Sequence, residues 1–314
     1  MATSRVACAS FNLGTNTTIT ITRDNKAYTH TLKYSFNGAT GTIVTKTTAT
    51  TYVWTPPAST FYSKIPNTTS GYGTITCETY NGSTLIGTST AGFYAYAVKA
   101  DCLPTVTGTV VDTNSATIAL TGSASTIVAI LSKPKATLTA TAKNSASIKT
   151  IQIDNGWGLV ATTSPYTFDK VWGNQFFFKA NDSRGYSNTH TLTVSKFIDY
   201  YPCYFDKTPV FKRTETTATT ATASIVGSCF KGSFGAVSNT LTVKYRYKTS
   251  SGTYGSYVNV TPTWNTDGSF TANVTLTNLS ISEAYTVEFV AQDKLTSFPV
   301  ETVIGRGVGD LRIA

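Results

Sequence analysis

One strand–turn–strand pattern occurs three times in this chain of 314 residues and constrains its fold more than any other feature. Each copy is a run that favours a β-strand, followed by a short polar turn. The copies lie at residues 75–83, 178–186 and 289–297, about 100 residues apart, which is the length of one immunoglobulin-like (Ig-like) β-sandwich. The repeat therefore predicts three Ig-like sandwiches in tandem, each closed by one of these hairpins.

Short alternating strands and turn residues set the predicted boundaries. We place domain 1 at residues 1–103, domain 2 at 104–202, domain 3 at 203–304 and a C-terminal tail at 305–314. Threonine-rich runs favour strands because β-branched side chains suit a pleated sheet. No stretch shows convincing helical periodicity, and residues 116–120 are among the predicted strands. The predicted fold class is therefore all-β.

The charge of the chain excludes several functional classes. Charged residues make up only 13% of the chain, although the formal net charge is +9. Lysines and arginines are scattered singly, whereas a nucleic-acid-binding protein more often has a basic stripe. No apolar stretch approaches the length that spans a bilayer, and residues 1–6 lack the pattern of a signal peptide. We expect a protein made in a cytoplasm, without nucleic-acid binding or membrane insertion; attraction to an anionic cell wall is compatible with its charge.

The five cysteines have no CxxC spacing, which argues against a zinc site. Their odd number and the missing export signal predict reduced thiols. Cys77 and Cys229 are expected in apolar cores. Cys102 and Cys203 lie at the two predicted domain junctions, where we do not expect a bridge.

Side chains suited to catalysis are scarce. His30 and His190 alternate with threonines in different domains, and both are expected on polar sheet surfaces. Asp182 and Asp293 occupy the same position in two copies of the repeat, where a carboxylate that accepts hydrogen bonds from nearby amides would shape the turn. A glycosidase needs two placed carboxylates, and a calcium loop needs several spaced acidic ligands. We therefore predict no enzyme, no metal and no cofactor.

Aromatic residues supply the candidate contacts. Exposed aromatic rings rimmed by hydroxyls and amides can stack on sugars or anchor a protein partner. Trp157 lies in a glycine-flanked turn and is expected at the surface, whereas Trp54 and Trp172 are expected in sandwich cores. Together with residues of the repeat turns, the candidate contacts for a glycan or a partner are Trp157, Tyr254, Tyr257, Asn81, Arg184 and Tyr186.

Five short runs of the chain carry a resemblance to a known family: THTLKYSF (29–36), WTPP (54–57), YNGSTLIG (80–87), DSRG (182–185) and GRGV (305–308). These segments resemble the minor structural tail proteins of long-tailed bacteriophages. The similarity is strongest over residues 28–93 and continues collinearly to about residue 308. Its motifs are typical of β-domains and include no active-site motif.

This resemblance implies a virion protein of the tail or tail tip. Its Ig-like domains would take part in assembly or in adhesion to a Gram-positive host. The implied partners are other phage structural proteins and host cell-wall glycans, and free strand edges favour a homo-oligomer. Two alternatives stay open: a dedicated carbohydrate-binding adhesin and an Ig-like protein that decorates the head. A polysaccharide hydrolase would release sugar from host walls, and we expect no such release.

Overall fold

The computed structural model of the chain describes residues 3–215 and 218–307, which form mainly β-strands. Up to residue 103, the described residues form eight strands and two short helices. These elements are β1 (Arg5–Cys8), β2 (Phe11–Asn12), β3 (Thr17–Thr22), β4 (Thr29–Phe36), β5 (Ala39–Thr47), β6 (Thr51–Trp54), α1 (Ala58–Lys64), β7 (Ser70–Asn81), β8 (Thr84–Tyr96) and α2 (Lys99–Cys102).

Two sheets of these strands enclose one apolar core. Their strand orders are β1-β3-β6 and β2-β8-β7-β4-β5. Along β7, buried residues alternate with more exposed ones, as expected for a strand with one face in a core. Phe36, Phe61 and Phe93 are fully buried between the sheets, and the ring centroids of Phe36 and Phe61 lie 4.1 Å apart. This part of the chain is therefore a β-sandwich, with Trp54 in its core as predicted.

The next third of the chain has shorter strands. The four-stranded sheet has the order β13-β12-β15-β16, another sheet has the order β14-β11-β9, and β10 pairs in parallel with β17. The elements are β9 (Thr105–Asp112), α3 (Ser115–Thr121), β10 (Ile127–Val128), β11 (Pro134–Thr141), β12 (Ile148–Asp154), β13 (Val160–Ala161), β14 (Tyr166–Thr167), β15 (Gln175–Asp182), β16 (Ser187–Thr193) and β17 (Phe197–Ile198).

One predicted strand is a helix: residues 116–120 lie in α3. The Asn114 side chain accepts a hydrogen bond from the Ala116 N–H at 3.1 Å and caps the first turn. Gly122 ends the helix in the left-handed conformation, with φ of 72°. The Asn114 cap and the terminal Gly122 favour a helix more strongly than the β-branched residues between them favour a strand. None of the helices in the described part of the chain is long and apolar enough to cross a membrane.

The last third of the chain forms two further sheets around a second core. Their orders are β18-β20-β24-β23, with β19 also paired to β20, and β22-β21-β25-β26. Phe270 and Phe289 are fully buried in the core. The elements are β18 (Tyr204–Phe205), β19 (Lys212–Arg213), β20 (Ala221–Ser228), β21 (Thr242–Thr249), β22 (Val258–Val260), β23 (Thr263–Trp264), β24 (Ser269–Leu276), β25 (Tyr285–Gln292) and β26 (Ser297–Ile304).

Cys203 and Cys229 form a disulfide, so the prediction of reduced thiols was wrong for this pair. Cys203 directly precedes β18, and Cys229 directly follows β20. These two strands pair antiparallel, with Tyr204 opposite Ser228, and the pairing brings the cysteines together. Cys77 is free and buried in the first core, as predicted.

The fold is all-β and multi-domain, as predicted, and the chain divides into two compact units. One comprises Met1–Thr109, Ala136–Tyr166 and Gln175–Thr193, and the other comprises Val110–Lys135, Thr167–Asn174 and Val194–Ala314. The middle third contributes to both units, and the three predicted domain ranges stay a prediction. Of the predicted tail, residues 308–314 lie outside the described residues.

Candidate functional site

Trp157 lies in the turn between β12 and β13, and its side chain is 60% exposed, as predicted. The buried Asn155 builds this turn, because its Oδ1 accepts hydrogen bonds from the N–H groups of Trp157 and Leu159 at 3.0 and 3.2 Å. Gly156 has φ of 75°, a conformation that glycine adopts without strain. The side chains of Leu159 and Val160 are also exposed. The turn therefore presents three apolar side chains on a fixed backbone.

Trp172 does not lie in a core, so that prediction was wrong. Its ring is exposed, and the Lys170 Nζ lies 5.8 Å from the ring centroid. Residues 172–174 form bends and do not belong to a strand. A tryptophan in this region has no inward-facing strand position to occupy.

Tyr254 and Tyr257 both lie against the side chain of Arg246 on β21. The guanidinium carbon is 4.5 Å from the centroid of each ring. The Arg246 Nε and the Glu288 carboxylate form an ion pair of 2.5 Å. The Tyr257 hydroxyl donates to Glu288 at 2.6 Å, and the Tyr254 hydroxyl donates to Glu301 at 2.7 Å. The structure thus brings two predicted contact residues together, with both hydroxyls already bound to carboxylates of the same sheet.

These hydrogen bonds change the titration of the cluster. The hydrogen bond to Glu288 raises the pKa of Tyr257. Burial and the hydrogen bond to Glu301 raise the pKa of Tyr254 to about 12. The hydrogen bond from Arg246 lowers the pKa of Glu288. Near neutral pH the tyrosines are therefore protonated and Glu288 is ionised, so the cluster fixes aromatic rings and does not supply an acid or a base poised for proton transfer.

The second repeat turn binds its own chain. Arg184 is only 6% exposed, and its guanidinium donates to the backbone carbonyls of Tyr62 and Ile65, at 3.1 and 3.0 Å, and to two further carbonyls. The Tyr186 hydroxyl donates to the Ala97 carbonyl at 3.2 Å. Two predicted surface contacts are thus engaged within one compact unit. The sequence carried no signal for this, because the acceptors lie far away in the chain.

Asp182 and Asp293 shape their turns, as predicted from the repeat. The Asp182 Oδ1 accepts hydrogen bonds from the N–H groups of Arg184 and Tyr186, at 2.9 and 2.8 Å. The Asp293 Oδ1 accepts one from the Leu295 N–H at 2.8 Å. Both carboxylates are buried. Their alignment with backbone amides gives each a structural role in its hairpin.

One group of three potential metal ligands occurs among the described residues: Cys203, Cys229 and Asp293, within 4.8 Å of one another. The two sulfurs are bonded to each other in the disulfide, which removes the thiolates that a metal would need. Asp293 also accepts a hydrogen bond from the Tyr200 hydroxyl at 2.8 Å. These three side chains therefore have a structural role.

His30 is completely buried, so its predicted place on a polar surface was wrong. Its Nε2 lies 2.8 Å from the Ser4 Oγ. Burial, together with the positive charge of Arg23, lowers the pKa of His30. His190 on β16 is half-buried. The alternating pattern identified the strands correctly, but it did not show that the His30 side was the inner one.

Asn81 ends β7 at the first repeat turn, and this turn is exposed. Gly82 follows with φ of 60°, and the Leu85 side chain on β8 is exposed. Next to the turn, the Lys46 Nζ lies 2.9 Å from the centroid of the Tyr80 ring. The first turn therefore remains accessible to a partner, in contrast to the second.

Tyr72 on β7 and Tyr94 and Tyr96 on β8 form a further exposed surface, which we call the tyrosine face and which is not among the predicted contacts. Their side chains are 52%, 48% and 43% exposed. Tyr72 pairs with Tyr94 in the strand register, and the ring centroids are 5.3 Å apart for Tyr72–Tyr94 and 6.3 Å apart for Tyr94–Tyr96. The alternation of tyrosines with the buried Phe93 and Ala95 was a detectable signal, but the partner strand was not.

A family model described as a siphovirus protein of unknown function matches residues 2–228 of the chain. No curated protein matches the chain. Among solved structures, the N-terminal eight Ig domains of Down Syndrome Cell Adhesion Molecule match at 10% identity and a TM-score of 0.36, over 94% of this chain and 34% of that one. The chain thus spans about a third of that structure.

Two other solved structures match over nearly the whole chain. The three N-terminal domains of the outer capsid protein Hoc of bacteriophage RB49 match at 10% identity and a TM-score of 0.27, covering 96% of this chain and 97% of that one. A tetra-tandem repeat from the extending region of a large adhesion protein matches at 17% identity and a TM-score of 0.32, covering 97% and 74%. TM-scores this low do not establish a common fold over the matched length.

Proposed function

Because the chain belongs to the siphovirus protein family whose model spans residues 2–228, we propose that it is a non-enzymatic structural protein of the virion. Its place is the tail or tail tip, where it contributes to assembly and to attachment at the host surface. The observation that carries this proposal is the set of exposed aromatic rings on sheet faces and turns. Aromatic residues are enriched where proteins meet their partners.

The buried carboxylates support a structural role. Besides Asp182 and Asp293, the buried Asp112 accepts hydrogen bonds from the Lys133 N–H and the Ser132 hydroxyl, both at 2.8 Å. Hydrolysis of a glycan needs a pair of carboxylates on either side of a substrate. These three carboxylates instead bind turn amides and hydroxyls of their own chain, which fits a protein that acts by binding.

Assembly is supported by an exposed sheet edge. β26 is the last strand in the order β22-β21-β25-β26, and it is eight residues long. An edge strand presents unpaired backbone groups that can pair with another chain. The side chain of Val303 on this strand is exposed, and Phe298 is also exposed. Pro299 limits the pairing to part of the edge.

Mass spectrometry of purified, nuclease-treated particles tests the proposal. We expect the chain in intact particles and in separated tails, together with other structural proteins. Its absence from particles, with abundant protein in the infected cell, would contradict the proposal. Recovery with tail-less heads would favour the head-decorating alternative. As a separate test of catalysis, incubation with host walls should release no sugar.

A further inference from the structure

We propose that the tyrosine face binds an uncharged glycan of the host surface, with sugar rings stacked on the phenol rings. This inference rests on the proposed role in attachment and gives that role a place and a ligand class. Its three residues are Tyr72, Tyr94 and Tyr96, on the outer side of β7 and β8. The candidate contacts predicted from the sequence do not include them.

Because Gly92 has no side chain, the Tyr72 ring can lie flat against the sheet. A Cβ atom added at Gly92 would lie 2.2 Å from the Tyr72 hydroxyl oxygen and 2.8 Å from its Cζ. No larger residue fits beneath the ring in this position, so the ring covers Gly92 and leaves its other side open to solvent. A ring held flat in this way offers its face to the apolar C–H side of a pyranose. Because the sheet fixes the ring, stacking costs little conformational entropy.

The hydroxyls of the tyrosine face are available to a ligand. Within residues 3–215 and 218–307, no group of the chain forms a hydrogen bond with the three phenol hydroxyls. Tyr254 and Tyr257 differ in this respect, because both donate to carboxylates. A phenol hydroxyl can donate and accept, so it matches the hydroxyls of a sugar. The tyrosine face therefore combines open rings with open hydrogen-bonding groups.

The surroundings of the rings favour an uncharged ligand. Beyond Tyr72, the same face of β7 continues with Thr74 and Thr76, and Thr76 pairs with Thr90 on β8. The next residue on this face, Glu78, forms an ion pair of 2.5 Å with Lys33. Lys33 is held by Glu78, and Lys46 lies over the ring of Tyr80 at the far end of this row, so neither cation is free to attract an anionic polymer. A surface of phenol and threonine hydroxyls instead fits a neutral polysaccharide.

The other exposed aromatic surfaces fit a sugar less well. The turn at Trp157 adds the apolar side chains of Leu159 and Val160, a combination typical of protein contacts. The rings of Tyr254 and Tyr257 lie against Arg246, so part of their area is already covered. The Trp172 ring, 49% exposed and outside both the proposed site and the predicted contacts, therefore serves as a matched control.

Binding of the purified full-length chain to host wall fractions tests the proposal. The probes are the neutral polysaccharide fraction and the teichoic-acid fraction of the host wall, measured by calorimetry. We expect binding to the neutral fraction, about tenfold weaker for Tyr94→Ala, which removes one stacking ring. Gly92→Ala should weaken binding although it retains all three tyrosines, because its Cβ displaces the Tyr72 ring. Trp172→Ala should bind like the unchanged chain.

The outcomes separate this inference from the proposed function. Equal binding by Tyr94→Ala and Gly92→Ala, with circular dichroism spectra like those of the unchanged chain, would overturn it. Binding only to teichoic acid, or only to a protease-sensitive wall component, would also overturn it. Because the proposed function is tested by the presence of the chain in tails, a chain found in tails that does not bind the neutral fraction would refute this inference alone.

Discussion

Arg184 offers the sharpest test of how the repeat turn is anchored. In the structure its guanidinium donates to four backbone carbonyls, and it lies 5.6 Å from the centroid of the Tyr62 ring. The substitution Arg184→Ala removes all of these contacts. It leaves the buried carbonyl of Ile65 without the Arg184 donor, and it leaves the carbonyl of Tyr62 with the Ile65 N–H as its remaining donor. We therefore expect a large local loss of stability around residues 58–66.

The magnitude follows from the burial of these hydrogen bonds. The two bonds to Tyr62 and Ile65 are fully buried, whereas the other two are partly exposed and can be replaced by water. Each hydrogen bond from a charged donor contributes about 1.5–3 kcal/mol. The variant also avoids burying a charge, which offsets part of the loss. We expect Arg184→Ala to lower the free energy of local opening by about 3 kcal/mol.

Hydrogen exchange of the full-length chain, followed by mass spectrometry, measures this quantity. A loss of about 3 kcal/mol should speed exchange in peptides covering residues 58–66 by about 100-fold. Arg184→Lys should recover only part of the protection, because an ammonium group lacks the planar fork of donors. Arg23→Ala is the matched control, since Arg23 is half-buried and its hydrogen bond to one carbonyl, that of Thr48, is exposed. Unchanged exchange at residues 58–66 in Arg184→Ala would refute the reasoning.

Three further predictions concern His30, the disulfide and the cap of α3. Burial lowers the pKa of His30 from its ordinary value of 6.5, so the unfolded chain binds the proton more readily than the folded one, and the unfolding free energy should fall as the pH drops below 6.5. His30→Gln should reduce this pH dependence in urea titrations at several pH values, and an unchanged dependence would contradict the prediction. The double variant Cys203→Ser/Cys229→Ser opens a loop of 26 residues and should cost about 3 kcal/mol of unfolding free energy; an unchanged denaturation midpoint would refute it. Asn114→Ala should cost about 1 kcal/mol by removing the cap of α3, and unaltered hydrogen exchange in α3 would argue against that role.

Strands and turns were predictable because their signals are local. The Asn37-Gly38 pair marks the tight turn between β4 and β5, and both residues have positive φ, 44° and 84°. Comparing Asp182 with Asp293 correctly assigned both to turn structure, since a position shared by two hairpins points to their common geometry. Trp157 was placed at the surface by its flanking glycines. Each of these inferences needed only a few neighbouring residues.

The remaining features depend on contacts that are distant in sequence. The Cys203–Cys229 disulfide follows from the register of β18 and β20, which no local pattern encodes. Arg184 resembles a surface residue in a turn, and only its distant carbonyl acceptors show that it is buried. Likewise, the tyrosine face exists because β7 and β8 place Tyr72 beside Tyr94. A local pattern could therefore place Trp157 at the surface, but it could not show which exposed residues lie side by side.

We propose that this member of a siphovirus protein family is a structural part of the tail. Immunogold electron microscopy of intact particles, with antibodies against the purified chain, tests it most directly. We expect gold on the tail or its tip, at a reproducible distance from the head, and none on particles that lack the chain. Gold confined to the head, or no labelling of particles despite labelling of the purified chain, would contradict it.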